Sequence, residues 1–156
     1  MTLMLTLLCR DEADILESML RFHLDQGVEL IIATDNGSVD GSLSMLQRYE
    51  RMGKLRLIQE SEHSHDQAVW VTRMARMAAD LGADWVINSD ADEFWWPAQG
   101  NLASTLEALP SSVEAVSVER TNFLPPPRDA NDERPFHQRQ VLRERISRNS
   151  LGEPLP

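Results

Sequence analysis

The sequence has almost no cysteine. Cys9 stands alone, so no intrachain disulfide can form, and the composition suits a reducing compartment. Long apolar runs are missing too: nothing approaches the roughly 20 residues that a membrane-crossing helix needs. Met1 to Leu8 is apolar but has no basic start and no small-residue cleavage site, so it is expected to be a first strand and not a signal peptide. Positive charge is scarce. Residues 1–119 carry 8 basic and 20 acidic side chains, residues 120–156 carry 7 and 5, and the whole chain has a net charge of −10. That excludes a general nucleic-acid binder, which needs a basic face. There is no internal repeat.

What is present fits one globular domain. The chain has 156 residues, 42% hydrophobic and 26% charged. A chain of that size buries roughly 70% of its unfolded surface and needs no staples.

One stretch dominates, Trp85-Val86-Ile87-Asn88-Ser89-Asp90-Ala91-Asp92-Glu93-Phe94. Trp85, Val86 and Ile87 are large, two of them β-branched, and read as a short buried strand. The strand runs into the carboxylates of Asp90, Asp92 and Glu93. Crowded carboxylates repel one another unless a cation or a set of donors holds them. Mg²⁺ or Mn²⁺ wants such oxygen ligands and commonly bridges to phosphate. The alternative is a solvated acidic turn.

Upstream, Leu3 to Leu8 reads as a strand buried on both faces. A helical pattern follows, with Ile15, Leu16, Met19, Leu20 and His23 on one face and Gly27 ending it. Asp11, Glu12 and Asp14 crowd its start, where helix-dipole electrostatics alone accounts for a carboxylate. Val28 to Thr34 is a second strand, leading into Asp35-Asn36-Gly37-Ser38-Val39-Asp40-Gly41-Ser42 and a helix with Leu43, Leu46 and Tyr49. A calcium loop is excluded here, because Gly37 and Val39 stand where oxygen ligands belong. Leu55 to Gln59 is a third strand. Ser64 and Gln67 have capping-box spacing before a helix whose stripe of Trp70, Met74, Met77, Ala78 and Leu81 reads as core. His63 and His65 read as ordinary loop histidines, with no third ligand at local metal spacing. Asn101 caps a short helix, Leu102 to Leu109, and Ala115 to Glu119 is expected to be a fifth strand. Beyond it lie Pro125-Pro126-Pro127 and an Arg-rich segment, either a loop whose arginines meet phosphate or a solvated connection.

Strand alternating with helix predicts a mostly parallel sheet with helices on both faces and right-handed crossovers. Ligands bind such sheets beyond the carboxyl ends of the strands. The Cys9–Glu12 segment, the Asp35–Asp40 loop and the Asp90–Glu93 cluster all follow strands. They are therefore expected at one edge.

Taken in order, Arg-Asp-Glu after the first strand, Asp-Asn-Gly-Ser-x-Asp-Gly-Ser after the second and Asn-Ser-Asp-Ala-Asp-Glu-Phe after the fourth resemble a family 2-like glycosyltransferase of the GT-A fold, in the branch with an Asp-x-Asp-Glu-Phe motif. The resemblance spans about residues 3–97. It implies transfer of a sugar from a nucleotide-diphosphate donor to a carbohydrate or lipid-linked acceptor hydroxyl, with Mn²⁺ or Mg²⁺. Asp35 would bind the base, and Asp11 and Glu12 would line the nucleoside pocket, although the family more often has Asn at Asp11. Asp40 would contact the nucleoside or cap its helix. Asp92 would ligate the metal, and Asp90 would contact the ribose or the metal. Glu93 is expected to be structural. The family's catalytic base lies further along the chain, and no counterpart is visible before Pro156, so the base is left unassigned and a C-terminally truncated chain is expected. Residues 1–122 would form the donor-binding core and residues 123–156 the start of an acceptor-side region. The expected location is cytoplasmic, peripheral to a membrane system at most.

Two other classes compete. A non-catalytic nucleotide- or metal-binding domain would share the donor site and lack a base. A phosphatase-like hydrolase resembles the chain only at Asp90 and Asp92, and it wants Thr or Val where Phe94 stands.

Overall fold

The computed structural model describes residues 1–60, 66–124, 134, 136–139 and 142–143. The chain forms two compact units, Met1–Leu109 and Pro110–Pro156.

The first unit alternates strand and helix. Its elements are β1 (Leu3–Cys9), α1 (Leu16–Asp25), β2 (Leu30–Asp35), α2 (Ser42–Arg51), β3 (Leu55–Gln59), α3 (Gln67–Asp80), β4 (Trp85–Ser89) and α4 (Leu102–Glu107). The four strands are all parallel, in the order β3-β2-β1-β4. This α/β, Rossmann-like arrangement is consistent with a GT-A fold. The first two crossovers step outward from β1, and the third returns past it to β4. β1 and β4 therefore flank the point where the winding reverses, where open α/β sheets hold their ligands.

Both faces of the sheet are covered because the strands are apolar at nearly every position. Met4 of β1 and Ile32 of β2 pack on Met74 and Ala78 of α3. The alternate residues Leu3, Leu5, Leu7 and Ile31 are fully buried on the opposite face, as are Leu16, Met19 and Leu20 of α1 and Leu46 of α2. Each such side chain contributes about 1.5–3 kcal/mol by leaving water. α1 and α2 are tied together where Glu17 accepts hydrogen bonds from Arg48 and, at 2.8 Å, from the Tyr49 hydroxyl.

The expected core stripes hold, with one exception at a helix end: Leu81 lies beyond α3 and is 44% exposed. Gly27 ends α1 with φ +92°, and a Cβ there would stand 2.6 Å from the Ala103 Cβ. The glycine thus serves both the left-handed turn and the close seat of α4. Asn101 caps α4 through a reciprocal box with Ser104. α3 starts at Gln67 without a side-chain cap from Asp66. The expected cap, Ser64, lies outside the described residues, as do His63 and His65.

The strand expected at Ala115–Glu119 does not form; residues 113–122 are irregular. Val116 and Val118 are exposed, so the segment has no apolar face buried against a sheet. The second unit contains a two-residue antiparallel ladder, β5 (Phe123–Leu124) with β6 (Leu142–Arg143), and one helical turn, α5 (Phe136–Arg139). Of the tail arginines, Arg128, Arg145 and Arg148 lie outside the described residues.

Candidate functional site

Parallel strands point every βα loop to one edge. The register pairs Cys9 with Asp35 and Asp35 with Gln59, while Ser89 pairs with Leu7. The segments after β1, β2 and β4 therefore leave the sheet side by side. All the expected site residues, Asp11, Glu12, Asp35, Asp40, Asp90 and Asp92, lie at this edge.

The first two loops are bolted to each other. Asp11 accepts from the Val39 amide at 2.7 Å and gives its own amide to Ser38 Oγ at 3.0 Å. The Glu12 amide donates to Ser42 Oγ at 2.9 Å, and the Ala13 amide to Asp40 Oδ2 at 2.8 Å. Asp40 Oδ1 accepts from the Ser42 amide at 3.0 Å and from the Ser42 hydroxyl at 2.7 Å. Burial opposes ionisation of Asp40, but these bonds outweigh it and lower its pKa. Asp11 has φ +55°, a left-handed conformation that Asp and Asn tolerate best. Asn, the commoner residue here in the family the sequence resembles, suits that backbone equally well.

Helix-start electrostatics therefore does not explain Asp11. α1 begins only at Leu16, and the Glu12 carbonyl accepts from the Ile15 and Leu16 amides at 3.1 and 2.9 Å. Ser38 and Ser42, not singled out as site residues in the sequence, join the loops together with Asp11 and Asp40. Both serines lie in the motif after β2, but a motif does not say which loop its hydroxyls will reach.

Asp35 sits at the end of β2, 2% exposed. Its Oδ2 accepts from the Ser38 amide at 3.2 Å, while its Oδ1 is buried without a hydrogen-bond partner. Asn36 Oδ1 next to it is likewise buried and unpartnered. The Thr34 hydroxyl beside them is buried and unpartnered too, and buried polar groups left unpaired cost roughly 1–3 kcal/mol each.

The β4 end is built differently. Asp90 and Asp92 are exposed, with Ala91 buried between them. Among the described residues no hydrogen bond or ion pair engages either side-chain carboxylate. Glu93 instead folds back on the turn, accepting from the Asp90 amide at 3.3 Å. A recess of about 210 Å³ opens beside this turn, lined by Thr6, Leu8, Val71, Asn88, Ser89, Asp90 and Glu93. At its base the Thr6 hydroxyl donates to Asn88 Oδ1 at 2.5 Å.

Glu12 lies between the two ends. Its pKa is raised, first by burial and then by the negative charges of Asp92, Asp14, Asp40 and Asp90. Burial first, and then the negative charges of Asp35, Glu12, Asp40 and Asp11, push the Cys9 thiol up to about 12, so Cys9 stays protonated and unreactive. Among the described residues no three His, Cys, Asp or Glu side chains form a ready-made metal cage.

No family model and no curated protein matches the chain significantly. Among solved structures it is similar to a crystal structure of S. aureus TarS 1–349, with a TM-score of 0.50 and 16% identity over 60% of this chain. It spans 28% of that chain. A second structure of TarS 1–349, in complex with UDP, aligns with a TM-score of 0.44 and 15% identity over 59% of this chain and 28% of the other. The first likeness supports the fold and nothing finer. Among the described residues no helix is long and apolar enough to cross a membrane.

Proposed function

We propose that this chain is the donor-binding part of a metal-dependent glycosyltransferase that takes a nucleotide-diphosphate sugar. The observation that carries the reading is the division of labour at one sheet edge. A buried carboxylate with one unpaired oxygen, Asp35, lies at the β2 end. Two exposed carboxylates without a partner among the described residues, Asp90 and Asp92, lie at the β4 end. A nucleoside diphosphate has complementary chemistry, with N–H donors on its base and anionic oxygens that need a cation.

On this reading Asp35 Oδ1 accepts a base N–H, and the interlocked loops around Asp11, Glu12 and Asp40 form a fixed wall for the nucleoside. Asp92, with Asp90, holds Mn²⁺ or Mg²⁺. When bound, the cation neutralises the charge of the diphosphate leaving group. Glu93 keeps the turn closed, and the recess beside Asn88 and Ser89 is the place for the ribose or the transferred sugar. Residues 1–122 form the donor core, and residues 123–156 open the acceptor side. A binding domain without turnover would share all of these features except transfer itself.

The test is calorimetric titration of UDP and of GDP, with and without Mn²⁺, on the wild type and on Asp92→Ala. Changing a residue that merely supports a metal ligand weakens a metal site about 10- to 100-fold. Loss of the ligand itself should therefore weaken the metal-dependent part of binding by roughly 100-fold or more. If the folded protein binds neither diphosphate in Mn²⁺, the proposal fails.

A further inference from the structure

His23 lies on α1 and is fully buried. Its Nδ1 is 3.0 Å from the Met19 carbonyl oxygen, and its Nε2 is 3.2 Å from the Trp95 amide nitrogen. A carbonyl can only accept and an amide can only donate. The ring therefore carries its proton on Nδ1 and a lone pair on Nε2, the neutral form.

Its surroundings are apolar. Phe94 stacks over it at 6.1 Å, and Phe22 meets it edge-on at 5.1 Å. Among the described residues no charged group shifts the ring. Burial lowers its pKa to about 4, opposed only by the bond to Met19.

The contact leads onward to the candidate site. The Trp95 indole Nε1 donates to Ser89 Oγ at 3.2 Å, and that hydroxyl donates to the Asp90 carbonyl oxygen at 3.2 Å. A line of hydrogen bonds thus runs from α1 through Trp95 and Ser89 to the turn that carries Asp90 and Asp92.

We infer that His23 is a positioning residue, which holds the Asp90–Asp92 turn through Trp95 and Ser89 only while its ring is neutral. A protonated ring would set an N–H against the Trp95 N–H and leave a charge buried without a partner. Acid therefore releases the turn. What the turn binds rests on the function proposed above; the latch itself does not.

The sign follows from linkage. The latched ring has its pKa below the ordinary 6.5, so latching is undiminished above about pH 7.5 and weakens as the pH falls from 6.5 towards 4. At pH 5 the ratio of released to latched protein should be about 30-fold higher than at pH 7.5.

The experiment is an NMR titration from pH 8 to 4.5, without ligand. It follows the His23 ring together with the Trp95 and Asp92 amides, in the wild type and in His23→Gln. Gln offers Trp95 an acceptor that does not titrate. The expected result is the Nδ1–H tautomer at pH 7.5, one shared midpoint below 6.5 for all three signals, and no such midpoint at the amides in His23→Gln. If His23→Gln does not fold, Trp95→Phe cuts the Ser89 link and should free the Asp92 amide from the His23 midpoint. An ordinary His23 midpoint with a silent Trp95 amide would overturn the inference. So would amide titrations that persist unchanged in His23→Gln, or an Asp92 amide that keeps the His23 midpoint in Trp95→Phe. UDP binding with Mn²⁺ at pH 7.5 is measured in parallel. Its absence counts against the proposed function, whereas a missing shared midpoint counts against the latch.

Discussion

The two ends of the candidate site carry similar residues and use them in opposite ways. At the β2 end the carboxylates of Asp11 and Asp40 are committed to amides of the neighbouring loops. Among the described residues, Thr34 Oγ1, Asp35 Oδ1 and Asn36 Oδ1 are left buried and unpaired there. At the β4 end the carboxylates of Asp90 and Asp92 have no hydrogen bond or ion pair among the described residues, and the turn is held through Glu93, Ser89 and Trp95. An Asp is therefore not a ligand because it stands in an acidic loop. Its standing depends on how many of its oxygens the fold has already engaged.

The sharpest way to break this contrast is to remove one acid from each end and read nucleotide binding with and without EDTA. Asp35→Ala should weaken UDP by about 10- to 100-fold (about 1.5–3 kcal/mol) in either condition, because its loss is a hydrogen bond to a charged group. Asp92→Ala should be without effect once EDTA is present. Equal, EDTA-sensitive losses in both variants would show that the two ends do not differ.

Asp40→Ala tests whether the β2 end is structural. It removes acceptors for the Ala13 and Ser42 amides and the Ser42 hydroxyl. Asp40 is exposed, so screening and water reduce the loss to about 1 kcal/mol of unfolding free energy. Thermal unfolding should show that loss without any added metal, and an unchanged Tm would mean that the bolts are idle.

The smallest effect is expected at Glu12, which feels both ends. Its pKa is raised in the folded protein, so its contribution to stability is present below the ordinary carboxylate value and is lost as the pH rises through the folded one. Glu12→Gln should therefore stabilise the protein at pH 7, by roughly a few tenths of a kcal/mol given its partial exposure. Mn²⁺ should close that gap by neutralising Asp92 and Asp90. A destabilised Glu12→Gln at pH 7 would place Glu12 among the bolts.

Much of the architecture is legible in short stretches of sequence. The apolar run Leu3 to Leu8, the helical stripes through Leu16 and Met74, Gly27 as a stop and Asn101 as a cap are all local signals, and they appear where periodicity puts them. Ala115–Glu119 is expected as a strand but forms none. A strand needs a partner and a face to bury, and Val116 and Val118 stay exposed. Asp11 resembles a helix-start charge because the sequence does not reveal its left-handed backbone. His23 looks like one apolar-face position among five. Its second role depends on Trp95, which is 72 residues away.

An alternating α/β chain with acidic segments at one edge follows from the sequence alone. Hydrophobic periodicity fixes the elements, and parallel strands send all their following loops the same way. Which acids are engaged and which stay open is settled only in three dimensions. The bonds that engage them join residues 27 to 30 positions apart, between Asp11, Glu12 and Ala13 on one loop and Ser38, Val39, Asp40 and Ser42 on the other. No local pattern encodes such pairings, because each is set by how two loops meet after the strands beneath them have aligned.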